Sequence, residues 1–211
     1  MEAKKKYYRV NAEQVIKNFQ KRNIEGYYCS TAEEAADKAL ELIEEGSTVS
    51  WGGSMTLQQI GILEKLKETK LELLNRDNAK NAEEKAEIQF KAFNCDYFLM
   101  SSNAITQDGK LVNIDGNGNR IAALIYGPRN VIIIAGMNKV TKDEDSAMKR
   151  VRNYAAPTNA IRLEQATPCT KTGNCHQCLV EDCICCQLLV TRKSSHDNRI
   201  KVILVGEELG F

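Results

Sequence analysis

The sequence predicts an α/β fold. The expected form is three-layer and Rossmann-like, a mostly parallel sheet with helices on both faces, plus a small β-hairpin and a Cys-rich C-terminal segment. Three observations predict it. Strand patterns alternate with helix patterns along most of the chain. The run Val131-Ile132-Ile133-Ile134-Ala135 is β-branched without polar alternation, which marks a strand buried on both faces. Polar loops at Gly52–Thr56, Asp115–Arg120 and Gly136–Lys139 follow strand patterns, and in such sheets ligands collect beyond the carboxyl ends of the strands.

The elements follow in order. Ala12 to Arg22 is helical in pattern, with Val15, Ile16 and Phe19 on one side. Tyr27-Tyr28-Cys29 reads as a short strand. Ser30 and Thr31 each precede a glutamate by three residues, a capping-box signal. The helix after them buries Ala35, Ala36, Ala39, Leu40 and Ile43, and Gly46 ends it. Thr48–Trp51 is a buried strand. It runs into the turn Gly52-Gly53-Ser54 and a helix carrying Leu57, Ile60, Leu63 and Leu66. Leu71–Leu74 reads as a strand. Asn81–Phe93 is an amphipathic helix, and Asp96–Met100 an apolar strand. Ala104–Thr106 and Leu111–Ile114 pair across the turn Gln107-Asp108-Gly109-Lys110. The segment Ile121–Tyr126 is stopped by Gly127-Pro128. Asp143–Tyr154 is a helix that Pro157 is expected to break. Gln187–Thr191 and Lys201–Val205 read as the last strands.

The turn after Trp51 is the leading candidate site. Two glycines leave backbone amides uncovered, and Ser54 and Thr56 can cap the following helix. Amides, hydroxyls and a helix dipole aimed at one spot suit an anion. A plain strand-to-helix turn without a ligand accounts for the same residues equally well. The stretch is neither a P-loop nor a GxGxxG fingerprint.

Totals narrow the function classes. The chain has 211 residues, 43% of them apolar and 27% charged, in the range of an ordinary globular domain. A net charge of +1 gives no electrostatic case for nucleic acid or an anionic membrane surface. No segment approaches the ~20 apolar residues that cross a bilayer, so no membrane span is expected. The N-terminus lacks the apolar stretch of a signal peptide. A cytoplasmic location, with reduced thiols, is therefore expected.

Six of the eight cysteines lie between Cys169 and Cys186. In a reducing compartment such clustering argues for metal before disulfides. Cys169, Cys175, Cys178 and Cys185 give C-x5-C-x2-C-x6-C, a set of four thiolates suited to zinc or an iron–sulfur cluster. The spacing matches neither a common zinc ribbon nor a ferredoxin run. Free thiols are the alternative. Cys183 and Cys186 are spare, and Cys29 and Cys95 read as small buried hydrophobes.

With these stretches in view, the chain resembles the LUD-domain family, named for lactate utilisation. The resemblance is carried by Ser50–Thr56 (SWGGSMT), Ser102–Arg120 (SNAITQDGKLVNIDGNGNR), Tyr126-Gly127-Pro128, Gly136–Lys139, Arg150–Pro157, the cysteine segment and Val202–Phe211 (VILVGEELGF). It implies one LUD domain over 1–211, with a Cys-rich insertion at about 167–187. It also implies the fold shared by CoA transferases, ribose-5-phosphate isomerase and glucosamine-6-phosphate deaminase. In that fold a Gly/Ser loop after an early strand holds phosphate or carboxylate, and Gly52, Gly53, Ser54 and Thr56 match it. Asp115, Gly116, Asn119, Arg120 and Lys139 fall on the facing loops. The implied role is in oxidising lactate-type organic acids, beside iron–sulfur redox partner proteins. No glutamate stands at a position matching the acyl acceptor of CoA transferases.

Three functions follow as expectations. The first is binding of a small anionic metabolite, with Arg120 forking a carboxylate and Lys139 as a point charge. The second is an isomerase- or CoA-transferase-like enzyme on a phosphorylated or CoA-linked substrate, with Asp115 as general base. The third is an interaction module braced by metal at the cysteines.

Overall fold

The computed structural model describes residues 2–211. In chain order the elements are α1 (Glu2–Lys21), β1 (Glu25–Cys29), α2 (Ala32–Glu41), β2 (Thr48–Trp51), α3 (Met55–Gln59), α4 (Ile62–Lys67), β3 (Glu72–Leu74), α5 (Ala82–Ala92), β4 (Tyr97–Met100), β5 (Ala104–Thr106), β6 (Leu111–Asp115), α6 (Asn119–Ile125), β7 (Asn130–Gly136), β8 (Val140–Thr141), α7 (Glu144–Arg150), α8 (Ala156–Arg162), α9 (Pro168–Thr172), β9 (Gln187–Thr191) and β10 (Ile200–Val205).

Six strands form one parallel sheet in the order β1-β10-β7-β4-β2-β3. Strand alternation divides its side chains between two cores. Val131, Ile133, Ala135, Val202 and Leu204 face α1, the end of α5 and α6. Ile132, Ile134, Ile203 and Val205 face α2, α3 and α4. Both faces of β7 are therefore apolar, as its unbroken β-branched run requires. The alanine face of α2 (Ala35, Ala36, Ala39) is fully buried and lets that helix lie close to the sheet. Thr31 caps α2 by accepting from the Glu34 backbone N–H at 3.2 Å.

The predicted hairpin is present, since β5 and β6 pair antiparallel. It is the centre of a second sheet of four strands, β8-β5-β6-β9. Strand β9, which leaves the cysteine segment, pairs antiparallel with β6 from Leu111↔Thr191 to Asp115↔Gln187. This pairing brings the cysteine segment against the loop after β6.

Two local expectations change. The helix expected from Ser54 to Leu66 is two short helices, because Gly61 takes the left-handed conformation at φ 72° between them. The dipole at Ser54 is thus that of a five-residue helix. Pro157 also does not end the α7 helix. A π-helical stretch, Val151–Ala155, joins α7 to α8, and Pro157 lies in the first turn of α8. The widened turn makes room for the proline ring and absorbs its missing N–H. Among the described residues no helix is long and apolar enough to cross a membrane.

Candidate functional site

A cavity of about 640 Å³ opens beyond the carboxyl ends of β2, β4 and β7. Its wall includes Gly53, Ser54 and Thr56 after β2, and Ser101–Asn103 after β4. It also includes Asp115, Gly116, Asn119 and Arg120 after β6, and Lys139 after β7. The predicted loops therefore meet. Of the predicted ligand-binding residues, Gly52 alone does not line the cavity. It lies beneath Arg120, where an added Cβ would sit 3.2 Å from the Arg120 Cγ and Cδ atoms.

Arg120 and Asp115 form the frame of this wall. Arg120 donates from Nε and Nη2 to Asp115 Oδ1 at 2.9 and 2.6 Å. Nη1 donates to the Ser101 carbonyl and Asn113 Oδ1, and Nη2 is shared with Asn103 Oδ1 and the Ile114 carbonyl, at 2.7–2.9 Å. Asp115 Oδ2 accepts from the Ile121 backbone N–H at 3.0 Å and so caps α6. The pair is about one-tenth exposed. The expected fork of Arg120 on a carboxylate is thus present, but the carboxylate is the chain's own Asp115. Both Asp115 oxygens are thus engaged by donors of the chain itself, Oδ2 by a single one.

Lys139 is the unusual group. A single 3-10 turn, Met137–Lys139, follows β7 and tucks the side chain inward, leaving it 3% exposed. Its Nζ donates to Thr56 Oγ1 at 2.9 Å and to Ser101 Oγ at 3.0 Å. Among the described residues no carboxylate forms an ion pair with it. Burial, then the charges of Arg150 and Arg120, pull its pKa from the ordinary 10.5 down to about 7. An amine with a lowered pKa on a cavity wall, held by two neutral hydroxyls, is a candidate functional group.

Arg76 was missed by the sequence reading. It lies in the 3-10 turn after β3, and its Nη2 sits 2.8 Å from where a Cβ on Gly53 would be. Gly53 thus leaves room for a guanidinium at the cavity wall. The one ion pair of Arg76 among the described residues is a long contact of 3.9 Å with Asp77. The only sequence signal was a basic residue two positions beyond a strand, Leu74, that itself lies next to β2 in the sheet.

The cysteine segment forms the facing wall. Cys183, Cys186, Asp182 and Ile184 line the cavity. The Cys186 N–H donates to the Asp115 carbonyl at 2.9 Å, and Ile184 lies over Gly116. The Asn153 side chain, from the π-helical stretch, accepts from the Cys175 N–H at 3.3 Å. Burial, with Cys183, Cys175 and Cys169 nearby, pushes the Cys185 thiol up to about 12. Among the described residues, however, no three histidine, cysteine or acidic side chains are placed to hold a metal ion. The expected set Cys169, Cys175, Cys178 and Cys185 forms no disulfides. A metal at this set would need the side chains to be regathered.

Comparison with known proteins bears on the fold and the family. A search of curated proteins finds no match. Among solved structures, a DUF162 family protein from Deinococcus radiodurans aligns with 94% of this chain and 98% of its own length, at 12% identity and a TM-score of 0.52. A D-ribose-5-phosphate isomerase in complex with phospho-erythronic acid covers 52% of this chain and 53% of its own, at 18% identity and TM-score 0.37. The ribose-5-phosphate isomerase A of Methanocaldococcus jannaschii covers 54% and 55%, at 13% identity and TM-score 0.35. The LUD domain model matches residues 12–205, which include both sheets, the cavity loops and the cysteine wall. This chain belongs to the LUD-domain family.

Proposed function

We propose that the cavity binds a small anionic metabolite, and that the chain serves lactate-type organic-acid utilisation, the role for which its family is named. One observation carries the ligand class. Lys139 is a buried amine on the cavity wall, with two hydroxyl partners and, among the described residues, no carboxylate in an ion pair with it. A bound carboxylate or phosphate supplies the missing charge and accepts a charge-assisted hydrogen bond. Arg76, beside Gly53, is the second cation available to the ligand. The Arg120–Asp115 pair shapes the wall without meeting the ligand's charge. The cysteine wall enters this reading as thiols and as shape.

The test is calorimetric titration of the protein with lactate, pyruvate, a sugar phosphate and CoA, with Trp51 fluorescence recorded in parallel. Trp51 ends β2 directly before the glycine turn and is 6% exposed. Binding of at least one of these anions, weakened tenfold or more in Lys139→Met, is the expected outcome. Tenfold is about 1.4 kcal/mol, within the span of a charge-assisted hydrogen bond. No heat and no fluorescence change with any of them overturns the reading.

A further inference from the structure

We infer that Lys139 is a covalent site, an amine that condenses with the keto group of a 2-oxo acid to form an imine. The inference rests on the proposed anion-binding role of the cavity and names the reacting class within it. Three features of the site support it.

The first is access without pairing. Lys139 lines the cavity at 3% exposure, and among the described residues no carboxylate forms an ion pair with it. With its pKa drawn to about 7, roughly half of the amine is uncharged at neutral pH, against about one in three thousand for an ordinary lysine. The uncharged amine is the nucleophile.

The second is a proton path. Thr56 Oγ1 and Ser101 Oγ stand 2.9 and 3.0 Å from Nζ. The nitrogen lone pair attacks the keto carbon, a C–N bond forms, and the C=O π pair moves to oxygen. That oxygen takes a proton while the nitrogen gives one up, leaving a carbinolamine. The carbinolamine hydroxyl then takes a proton and leaves as water, and the nitrogen closes a C=N bond. This gives the protonated imine, which becomes the imine by releasing the second nitrogen proton and so returns the proton taken up by the hydroxyl. The sum is amine plus ketone giving imine plus water, so no oxidant or reductant is needed. The two hydroxyls, each a donor and an acceptor, lie where both proton transfers occur.

The third is charge. A protonated imine is a cation at a buried point already facing Arg150 and Arg120. The nearby acid on the cavity wall, Asp115, is engaged by Arg120 and by the Ile121 N–H. Glu181 and Asp182 also lie on the cavity wall, but among the described residues no carboxylate is within ion-pair distance of Lys139 Nζ, whereas a 2-oxo acid carries its own carboxylate one bond from the reacting carbon. A simple aldehyde or ketone lacks it and leaves the cation unpaired.

The test is reductive trapping of the full chain with pyruvate or glyoxylate and sodium cyanoborohydride near neutral pH. Intact mass and peptide mapping read the result, and lactate and acetate serve as controls without a keto group. The expected product from pyruvate adds the elements of pyruvic acid less one oxygen atom, once per chain, at Lys139. Lys139→Met, checked for folding by near-UV circular dichroism, shows no such adduct. If that variant does not fold, the peptide map of the unsubstituted protein decides. Calorimetric binding of pyruvate with the Lys139 peptide unmodified overturns this inference and leaves the anion-binding role standing. Labelling confined to surface lysines also overturns it. Failure of every anion to bind, with no adduct, removes both.

Discussion

A Cβ on Gly52 would lie 3.2 Å from the Cγ and Cδ atoms of Arg120, so the aliphatic stem of the arginine rests on the bare backbone of the turn. The glycine and the arginine are 68 positions apart in sequence and form one layer of the cavity wall. Gly52→Ala is expected to lower stability by about 1–3 kcal/mol, the usual range for overpacking. Gly53→Ala meets only the end of the flexible Arg76 side chain at 2.8 Å. That variant should keep its melting temperature and lose anion affinity as Arg76 moves. Equal melting temperatures for both variants would contradict the packing order described here.

Arg120 is expected to be structural first. It holds Asp115 from two nitrogens and bonds four further oxygens across β4–β6. Arg120→Lys has one charged nitrogen for these acceptors and no planar fork. Removing one member of a buried pair outright costs about 3–5 kcal/mol, an upper bound here because lysine keeps the charge and loses only the fork. Urea denaturation should show a loss up to that bound, with Asp115→Asn also destabilising. A stable Arg120→Lys protein that merely loses ligand affinity would assign Arg120 to the ligand instead.

Lys139 gives stability a pH dependence of known sign. Its folded pKa of about 7 lies below the ordinary 10.5, so the unfolded chain binds the extra proton between these values. Below pH 7 both states are protonated and the full penalty of burying the ammonium is felt. The penalty is relieved as pH rises from 7 towards 10.5. Lys139→Met should therefore be more stable than the parent near pH 6, by up to a few kcal/mol, and lose that advantage towards pH 10.5. A stability difference that does not change with pH would refute the assignment.

The thiols should react in an order set by burial. Burial holds Cys29 and Cys95 at about 11, and Cys185 at about 12. Cys186 is exposed. Timed alkylation of the native protein, followed by peptide mass spectrometry, should modify Cys186 first and Cys29, Cys95 and Cys185 last. A ligand in the cavity should slow Cys183 and Cys186, which line it. Early modification of Cys185 would place it in a different environment.

The sequence by itself determined the layers. Val131–Ala135 has no polar alternation, so it had to be a central strand, and Ala35, Ala36 and Ala39 had to lie flat on a sheet. Apolar periodicity is a local property, and burial follows from it directly. The meeting of the Gly52–Thr56 and Gly136–Lys139 loops was legible for a similar reason, since the parallel strands β2 and β7 deliver their carboxyl ends to one edge. The Asp115–Arg120 loop follows β6 of the second sheet and joins them only through the tertiary structure. The tertiary structure alone decided who partners whom. Arg120 could fork a ligand or its own Asp115, and only the α6 turn, capped by that aspartate, selects the second. Whether Lys139 meets an acid or two hydroxyls depends on Thr56 and Ser101, residues 83 and 38 positions away. Arg76 enters the cavity only because β3 lies beside β2. The cysteine segment becomes a cavity wall because β9 pairs with β6. Charges and thiols act through distances between remote residues, and a linear pattern does not encode those distances.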